Sequence, residues 1–264
     1  MKISLFTVLK IGLGIAAGIG VSGTGCAPIG LPVTPAPPAG SSGSVQWGEP
    51  TVENFDSLSS RWYVYNFPTS RPRRSSALVS VSGGSLKLGG ATDSAGLDFG
   101  SGVSDNAFHQ KYGRWEARFR VTPGAGFGVA ILLWPENGNW PRDGEVDMIE
   151  IPSADRHSAI QSIHNGPSNL QATHGANNDY TGWHTVAVDW LPSGLTYYVD
   201  GAATWKVTGP AYIPSTGPLH LTLQLDECSP GTYGGFIPCR ESGPSEGVTL
   251  EVDWVKVYPP PPGL

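Results

Sequence analysis

The stretch GRWEARFRV, residues 113 to 121, alternates apolar and charged side chains along its whole length. Trp115, Ala117, Phe119 and Val121 fall on one side of an extended chain, and the positions between them carry three arginines and one glutamate. A period of two is typical of a β-strand that buries one face and exposes the other. The stretch therefore predicts a sheet with one face in a core and the other face in water.

Similar short runs recur between turn signals, rich in β-branched and aromatic residues, and no segment of helical length carries an apolar stripe. The run GVAILLW, residues 128 to 134, is apolar on both faces, which places it centrally in a sheet. Asp200-Gly201 predicts a hairpin turn. The other runs are SLKLGG, EVDMIEI, AIQSIH, WHTVAVDW, LTYYVDG, ATWKV, LHLTLQL and VTLEVDWVKVY. We expect an all-β fold: a two-sheet antiparallel β-sandwich, or jelly roll, with a concave substrate cleft.

Composition narrows the range of partners. The 264 residues include 36 Gly, 24 Pro and only 14% charged residues, which is consistent with one large β domain. The formal net charge is −6 and the basic residues are scattered, which argues against nucleic acid as a partner. Nine Trp and nine Tyr suit stacking on sugar faces, and ordinary core packing is the alternative for most of them. We expect a monomer.

The first 26 residues have the layout of a secretory signal, with a basic start, an apolar stretch and small residues at the end. Gly23-Thr24-Gly25-Cys26 resembles a bacterial lipoprotein processing site, which would leave Cys26 lipidated and the protein attached to a membrane. Ordinary cleavage near Gly25-Cys26-Ala27 is the alternative. Either route predicts export, to the medium or to the bacterial cell surface.

Residues 27 to 45 have the Pro, Gly and Ser content of a linker, so we expect the folded domain to span residues 46 to 264. Export would place Cys228 and Cys239 in a non-reducing environment, where they are expected to form a disulfide. Metal binding is the alternative for two cysteines, but no CxxC pattern and no neighbouring His supports it.

The run EVDMIE carries three carboxylates in six positions. Regular alternation places Glu145 and Asp147 on one face but sends Glu150 to the other, where an unpaired buried carboxylate would be costly. A β-bulge at Met148-Ile149 counts two residues as one, which returns Ile149 to the core and Glu150 to the face of the other two acids. The sequence therefore predicts three carboxylates on one wet face.

Three like charges this close raise at least one pKa. The arrangement suits a retaining glycosidase, in which an ionised nucleophile and a protonated acid act on either side of one glycosidic bond. The alternatives are a set of solvated surface charges, or a metal site in which carboxylate oxygens hold calcium. The neighbouring tryptophans favour sugar.

The segment WPENGNWPRDGEVDMIE, residues 134 to 150, resembles the signature of glycoside hydrolase family 16, in particular laminarinase-like members with a bulged Glu-x-Asp-x-x-Glu motif. Three further segments are similar to that family in the same order: YGRWEARFRV, GWHTVAVDWLPSGLTYYVDG and VDWVKVY. The resemblance covers most of the domain and implies an endo-β-1,3-glucanase with a jelly-roll fold.

The resemblance also implies residue roles. Glu145 corresponds to the nucleophile, Asp147 to its electrostatic helper and Glu150 to the general acid/base. Trp134 and Trp140 match tryptophans that support sugar rings on either side of the cleavage point. Their alternative role is core packing.

Weaker correspondences concern five further positions. His164 matches a position near the acid/base, with a purely structural His as the alternative, and Gln224 matches a polar cleft position. Catalysis of this kind needs no cofactor, but the family frequently binds a structural calcium. Asp253, with Glu53 or Asp56, matches that site, and the alternative is that these are surface charges.

The expectation is an exported retaining endo-glycosidase acting on β-glucan, most of all β-1,3-glucan of the laminarin type, by double displacement. One alternative is the same chemistry on β-1,3-1,4-glucan, agarose or a galactan. Sulfated galactans need cationic cleft residues, for which Arg142 and Arg118 are the candidates. A second alternative is a carbohydrate-binding protein without activity, against which the three retained acids argue.

Overall fold

The computed structural model describes residues 45–228, 236–241, 243, 245 and 247–264. The predicted signal segment, Cys26 and the predicted linker up to residue 44 lie outside them. The described residues include two single-turn 3₁₀ helices, at Ser76–Leu78 and Pro210–Tyr212. No helix among the described residues is long and apolar enough to cross a membrane. The strands are β1 (Thr51–Glu53), β2 (Trp62–Val64), β3 (Val79–Ser82), β4 (Ser85–Thr92), β5 (Asp98–Phe99), β6 (Ser101–Asp105), β7 (Gly113–Val121), β8 (Phe127–Pro135), β9 (Glu145–Ile151), β10 (Ile160–Asn165), β11 (Leu170–Gly175), β12 (His184–Leu191), β13 (Gly194–Val199), β14 (Ala202–Val207), β15 (Leu219–Glu227) and β16 (Val248–Tyr258).

The strands form two antiparallel sheets, as expected for a sandwich. The first sheet, here called the outer sheet, has the order β14-β13-β12-β7-β16-β4-β3, with β1 paired to β16 and β5 to β4. The second, here called the site sheet, has the order β11-β10-β9-β8-β15-β6-β2. The predicted all-β two-sheet fold is confirmed.

The core lies between the two sheets. On β7, Trp115 and Phe119 are fully buried, while the charged residues between them face outward, as the alternation predicts. Ile131 and Leu133 of β8 meet them from the site sheet. Each fully buried large apolar side chain contributes about 1.5–3 kcal/mol relative to an exposed one. This burial fixes which face of each strand looks out.

Two local predictions are also confirmed. The strand β8 is the fourth of seven in the site sheet, which explains why both of its faces are apolar. Asp200 and Gly201 connect β13 to β14 with φ of 50° and 78°. Positive φ at both positions is the geometry of the two-residue hairpin turn that matches strand twist.

The strands that the sequence does not predict are short or polar. The strands β1 and β2 have three residues each, and every second residue of β11 is exposed. The strand β6 is SGVSD, with one large apolar residue. These segments are ordered mainly by pairing with neighbouring strands, which a local pattern does not reveal.

Candidate active site

The strand β9 contains the irregularity that the acid spacing predicts. On the β8 side, Ile131 pairs with Ile149 and Leu132 pairs with Asp147, so two consecutive residues of β8 span three of β9. The extra residue is Met148. Met148 and Ile149 are both fully buried in the core, so they occupy adjoining inward positions.

The pairing of β9 with β10 shows the same shift. Ile160 pairs with Glu150 and Ser162 with Asp147. Because the bulge absorbs one residue, Glu145, Asp147 and Glu150 all lie on the outward face of the site sheet. They are called the carboxylate row below. The predicted bulge is confirmed, and the spacing that looks irregular in the sequence is regular in space.

Trp140 contacts the first acid of the row directly. Its indole Nε1 donates a hydrogen bond of 2.5 Å to Oε2 of Glu145. The side chain of Glu145 is largely buried, with 9% of the residue exposed. An N–H donor to a buried carboxylate stabilises the ionised form. Trp140 therefore does more than offer a ring for stacking, and sequence reasoning missed this second role.

The loop between β8 and β9 holds Trp140 in place. Oδ2 of Asp143 accepts hydrogen bonds from Nδ2 of Asn137 at 2.7 Å and of Asn139 at 3.3 Å. Gly144 precedes the row with φ of 93°, and a Cβ there would lie 2.6 Å from the ring of Pro214. Only glycine fits that position without displacing the loop.

Glu150 is held by β10. The hydroxyl of Ser162 donates to Oε2 of Glu150 at 2.6 Å. The backbone carbonyl of Ser162 in turn accepts a hydrogen bond of 2.8 Å from the Tyr197 hydroxyl, which comes from the outer sheet. Sequence reasoning missed both residues. The role of Ser162 was predictable from the sequence, because Ser162 lies two positions before His164 on the same strand face. No local sequence signal points to Tyr197.

His164 lies beside the row. It pairs with Glu145 across β9 and β10, and its Nε2 is 3.9 Å from Oδ2 of Asp147. Its Nδ1 lies 3.0 Å from Oδ1 of Asn169. An amide oxygen only accepts, so Nδ1 carries the hydrogen and Nε2 presents a lone pair to Asp147. Burial lowers the pKa of His164, which favours the neutral ring.

Burial raises the pKa of every acid in the row. For Glu145, burial and the charge of Glu150 raise the pKa to about 8, against the hydrogen bond from Trp140. For Glu150, burial raises the pKa to about 6, and the Ser162 hydroxyl opposes the rise. Burial, then the charges of the two glutamates, raise the pKa of Asp147 well above its usual range.

The pKa of Glu145 is higher than that of Glu150, whereas the sequence predicts an ionised Glu145 beside a protonated Glu150. The main reason is the burial of Glu145, and the charge of Glu150 makes a further contribution to its raised pKa. Protonating Glu150 removes that contribution. The contact between Asp147 and Glu145 also lowers the pKa of Glu145 and raises that of Asp147, so a proton on Asp147 favours a carboxylate at Glu145. The three groups titrate together.

The two predicted platform tryptophans lie together. The rings of Trp134 and Trp140 are nearly parallel, with an interplanar angle of 7° and centroids 6.2 Å apart. Trp134 is half-buried at the end of β8, on the outward face of the site sheet. Parallel aromatic faces beside carboxylates are the surroundings in which sugar rings bind.

Gln224 lies on the same outward face, two strands from β9. Its neighbours in the sheet are Ala130 and Gly102, and the ring of Tyr65 lies against Gly102. Its Oε1 accepts a hydrogen bond of 2.9 Å from Arg74, which also pairs with Asp226. Sequence reasoning missed Arg74, because 150 residues separate it from Gln224.

The predicted calcium residues have other partners. Asp253 pairs with Arg118 on the outer sheet. Oε1 of Glu53 accepts from the backbone N–H of Phe55 at 3.0 Å, and its Oε2 accepts from Trp62 at 3.3 Å. A guanidinium on Asp253 does not fit a cation there. Calcium, including any role of Asp56, stays a prediction.

Two further predictions have clear outcomes. Cys228 and Cys239 form a disulfide, with Cα atoms 5.1 Å apart. The prediction of Arg118 as a cationic cleft residue is wrong, because Arg118 lies on the outer sheet, stacked on Trp183. Its alternating position on β7 sends it away from the core on the side opposite the carboxylate row. Arg142 lies in the loop of Trp140, and its charge lowers the pKa of Asp143, though less than the hydrogen bond from Asn137 does.

Comparison with known proteins agrees with this geometry. The endo-1,3-1,4-beta-glycanase ExsH of Rhizobium meliloti is 26% identical over 211 residues, which cover 75% of this chain and 43% of that protein. Glucan endo-1,3-beta-glucosidase A1 of Niallia circulans is 26% identical over 166 residues, covering 56% of this chain and 24% of that protein. The chain thus spans less than half the length of these relatives.

Solved structures share the fold. SCLam, a non-specific endo-β-1,3(4)-glucanase crystallised with a β-glucan oligosaccharide, superimposes with a TM-score of 0.68 at 19% identity, over 81% of this chain and 95% of that one. The sequence profile described as Glycosyl hydrolases family 16 matches residues 73–226, which is more than half of the chain and includes the whole carboxylate row. The chain therefore belongs to glycosyl hydrolase family 16.

Proposed function

We propose that this protein is an exported retaining endo-glycosidase that hydrolyses β-glucan, with β-1,3-linked glucan as its main substrate. The observation that supports this most is the bulge of β9, which aligns Glu145, Asp147 and Glu150 on one face beside Trp134 and Trp140. A row of buried carboxylates costs stability, and catalysis is the reason for which a fold tolerates it.

In the first step Glu150 donates its proton to the glycosidic oxygen while the carboxylate of Glu145 attacks the anomeric carbon. The bond to the leaving sugar breaks and a covalent glycosyl-enzyme forms. Trp140 donates to Oε2 of Glu145 and so holds the nucleophile in place. The raised pKa of Glu150 supplies the proton at mildly acidic pH.

In the second step Glu150, now ionised, takes a proton from water, and the oxygen of that water displaces Glu145 from the anomeric carbon. The Ser162 hydroxyl stabilises the ionised form of Glu150 at this stage. Asp147 donates to Glu145 when Glu145 is a carboxylate, and so stabilises it as a leaving group. Two displacements retain the β configuration.

The pairing of one cation near the site supports a neutral glucan as the substrate. Arg74 is the cation beside Gln224, and Asp226 pairs with it at 2.7 Å. A sulfated galactan needs uncompensated positive charge, which this pair does not offer. The names of the two relatives given above describe one as acting on β-1,3-1,4-linked glycans and the other on β-1,3-linked glucan. The mixed-linkage glucan is therefore the second candidate.

Export and localisation rest on the sequence of residues 1–26, and lipid attachment at Cys26 is part of the same proposal. A purely carbohydrate-binding role would need the tryptophans and not the row of buried acids.

The test is a panel of laminarin, mixed-linkage β-glucan, agarose and keratan sulfate, followed by the release of reducing ends. We expect laminarin to be hydrolysed fastest, and Glu145→Gln to lose the activity. The matched control is Glu49→Gln, an exposed glutamate outside the site sheet. No hydrolysis of any polymer by the wild type would contradict the proposal, as would undiminished hydrolysis by Glu145→Gln.

A further inference from the structure

Three side chains at the row have the arrangement of metal ligands. One ligand atom each from Glu145, Asp147 and His164 lies within 4.8 Å of the other two. Among the described residues, no other group of three or more His, Cys, Asp or Glu meets this condition. The sequence suggests oxygen ligands only, but the fold adds an imidazole from the neighbouring strand.

The imidazole is oriented for binding. Nδ1 of His164 is occupied by Asn169 at 3.0 Å, so Nε2 has its lone pair free on the side of Asp147. Metal-binding histidines are commonly held this way, with the second nitrogen donating to a fixed acceptor that sets the tautomer. Asn169 has a φ of 51°, an uncommon backbone conformation that asparagine tolerates better than most residues.

Asp147 supplies an acceptor without a partner. Its side chain is 3% exposed, and its Oδ2 is buried with no hydrogen bond from any described residue. Nε2 of His164 and Oδ2 of Asp147 thus present two lone pairs to each other. A proton on Asp147, or a cation between the two atoms, relieves that conflict.

The donor set selects the class of ion. One imidazole and two carboxylates suit Zn²⁺ and related transition metals, whereas Ca²⁺ and Mg²⁺ prefer oxygen ligands alone. Bonds of about 2.0–2.1 Å require ligand atoms roughly 3.3 Å apart. The ligand atoms must therefore approach one another by up to about 1.5 Å from the 4.8 Å limit.

We propose that the free enzyme binds one transition-metal ion of the Zn²⁺ class through Glu145, Asp147 and His164, and that this ion inhibits hydrolysis reversibly. The bound ion coordinates the carboxylate of Glu145, which then cannot attack the sugar. Substrate and metal therefore compete for the same site. The inhibition rests on the function proposed above, whereas the binding of the metal does not.

The binding test uses Co²⁺ as a spectroscopic probe and Zn²⁺ as the competitor, with the full chain and no substrate. We expect one Co²⁺ per chain, with the strong visible absorption of a four- or five-coordinate ion, and displacement by Zn²⁺. His164→Ala should lose this binding. Asn169→Ala keeps the three ligands but removes the acceptor that fixes the tautomer of His164. This variant should bind Co²⁺ about 10- to 100-fold more weakly.

His174→Ala is the matched control, because His174 stacks on Trp205 outside the cluster. It should bind Co²⁺ like the wild type. Thermal unfolding establishes that His164→Ala is folded, and Asn169→Ala provides the test if it is not. Unchanged binding in both the His164 and Asn169 variants, or only the weak spectrum of a hydrated ion in the wild type, would overturn the proposal.

The activity test follows laminarin hydrolysis with added Zn²⁺ and then with excess chelator. We expect inhibition that a higher laminarin concentration relieves and that chelator reverses fully. Inhibition of equal strength in Asn169→Ala would contradict the proposed site. If laminarin is not hydrolysed at all, the proposed function fails, but the Co²⁺ titration still decides whether the metal binds.

Discussion

A hydrogen bond of 2.5 Å joins Nε1 of Trp140 to Oε2 of Glu145 and ties the aromatic platform to the proposed nucleophile. One residue thus offers a ring face next to Trp134 and stabilises a carboxylate. Positioning of the sugar and ionisation of the nucleophile depend on the same loop, which Asp143 holds through Asn137 and Asn139.

The first prediction separates these two roles of Trp140. Trp140→Phe keeps a ring but loses the N–H donor. A hydrogen bond to a charged group contributes about 1.5–3 kcal/mol, which corresponds to roughly a 10- to 150-fold fall in kcat, with KM changed much less. The acidic limb of the pH profile should move to higher pH. Trp134→Phe, which leaves the hydrogen bond intact, is the control, and an equal loss of kcat in both variants would be evidence against a separate role for the N–H.

The second prediction concerns the bulge. Deletion of Ile149 gives the strand Glu-Val-Asp-Met-Glu-Ile, in which regular alternation keeps all three acids on one face and the apolar residues in the core. We expect a folded protein with measurable glucanase activity. Deletion of Val146 is the matched control, because it moves Glu145 to the core face and should abolish activity. Equal inactivity of two folded deletion variants would show that the bulge does more than restore the phase.

The third prediction is the alkaline limb of activity. Glu150 must be protonated in the first step, and its pKa is raised to about 6 by burial. The value of kcat/KM should therefore fall on the alkaline side, as the coupled row loses the proton that Glu150 must donate. The Ser162 hydroxyl lowers the pKa of Glu150, so Ser162→Ala should move this limb to higher pH. A limb that stays in place or moves to lower pH would contradict the role of Glu150.

The fourth prediction links the row to stability. The pKa of Asp147 is higher in the folded protein than in the unfolded chain, so its contribution to stability is complete below the unfolded value and is lost as pH rises through the folded value. Asp147→Asn has no titrating carboxyl at this position, so the variant should not lose this stability as the pH rises. We expect little difference in the free energy of unfolding near pH 4 and a gain of about 1–3 kcal/mol near pH 8.

The measurement for this prediction is the melting temperature across that pH range, where each kcal/mol corresponds to ~2–4 °C for a domain of 150–250 residues. Asp56→Asn, at an exposed position, serves as the control. A variant less stable than the wild type at pH 8 would mean that Asp147 is not a destabilising charge.

The sequence was enough to predict the elements whose pattern is local. Alternation in β7, the two apolar faces of β8 and the turn at Asp200-Gly201 each depend on a few neighbouring residues. The bulge at Met148-Ile149 was predictable for the same reason, since burying Glu150 has a cost that one extra residue removes. The short strands β1 and β2 were not predicted, because their order comes from pairing with distant strands.

The parts of the site that the sequence did not predict come from distant segments. Tyr197 reaches Ser162 from the other sheet, and Arg74 reaches Gln224 across 150 residues. The hydrogen bond from Trp140 to Glu145 spans only five residues, but it depends on how the loop folds and not on any periodicity. The tautomer of His164 likewise depends on the backbone turn at Asn169.

The measurement that tests the central claim most directly is proton NMR of the first sugar released from laminarin by the wild-type protein, recorded before mutarotation. Double displacement through Glu145 and Glu150 predicts that the new reducing end appears first as the β-anomer and then equilibrates. An α-anomer appearing first would contradict the account, because it requires a single displacement by water and leaves Glu145 without its proposed role as nucleophile.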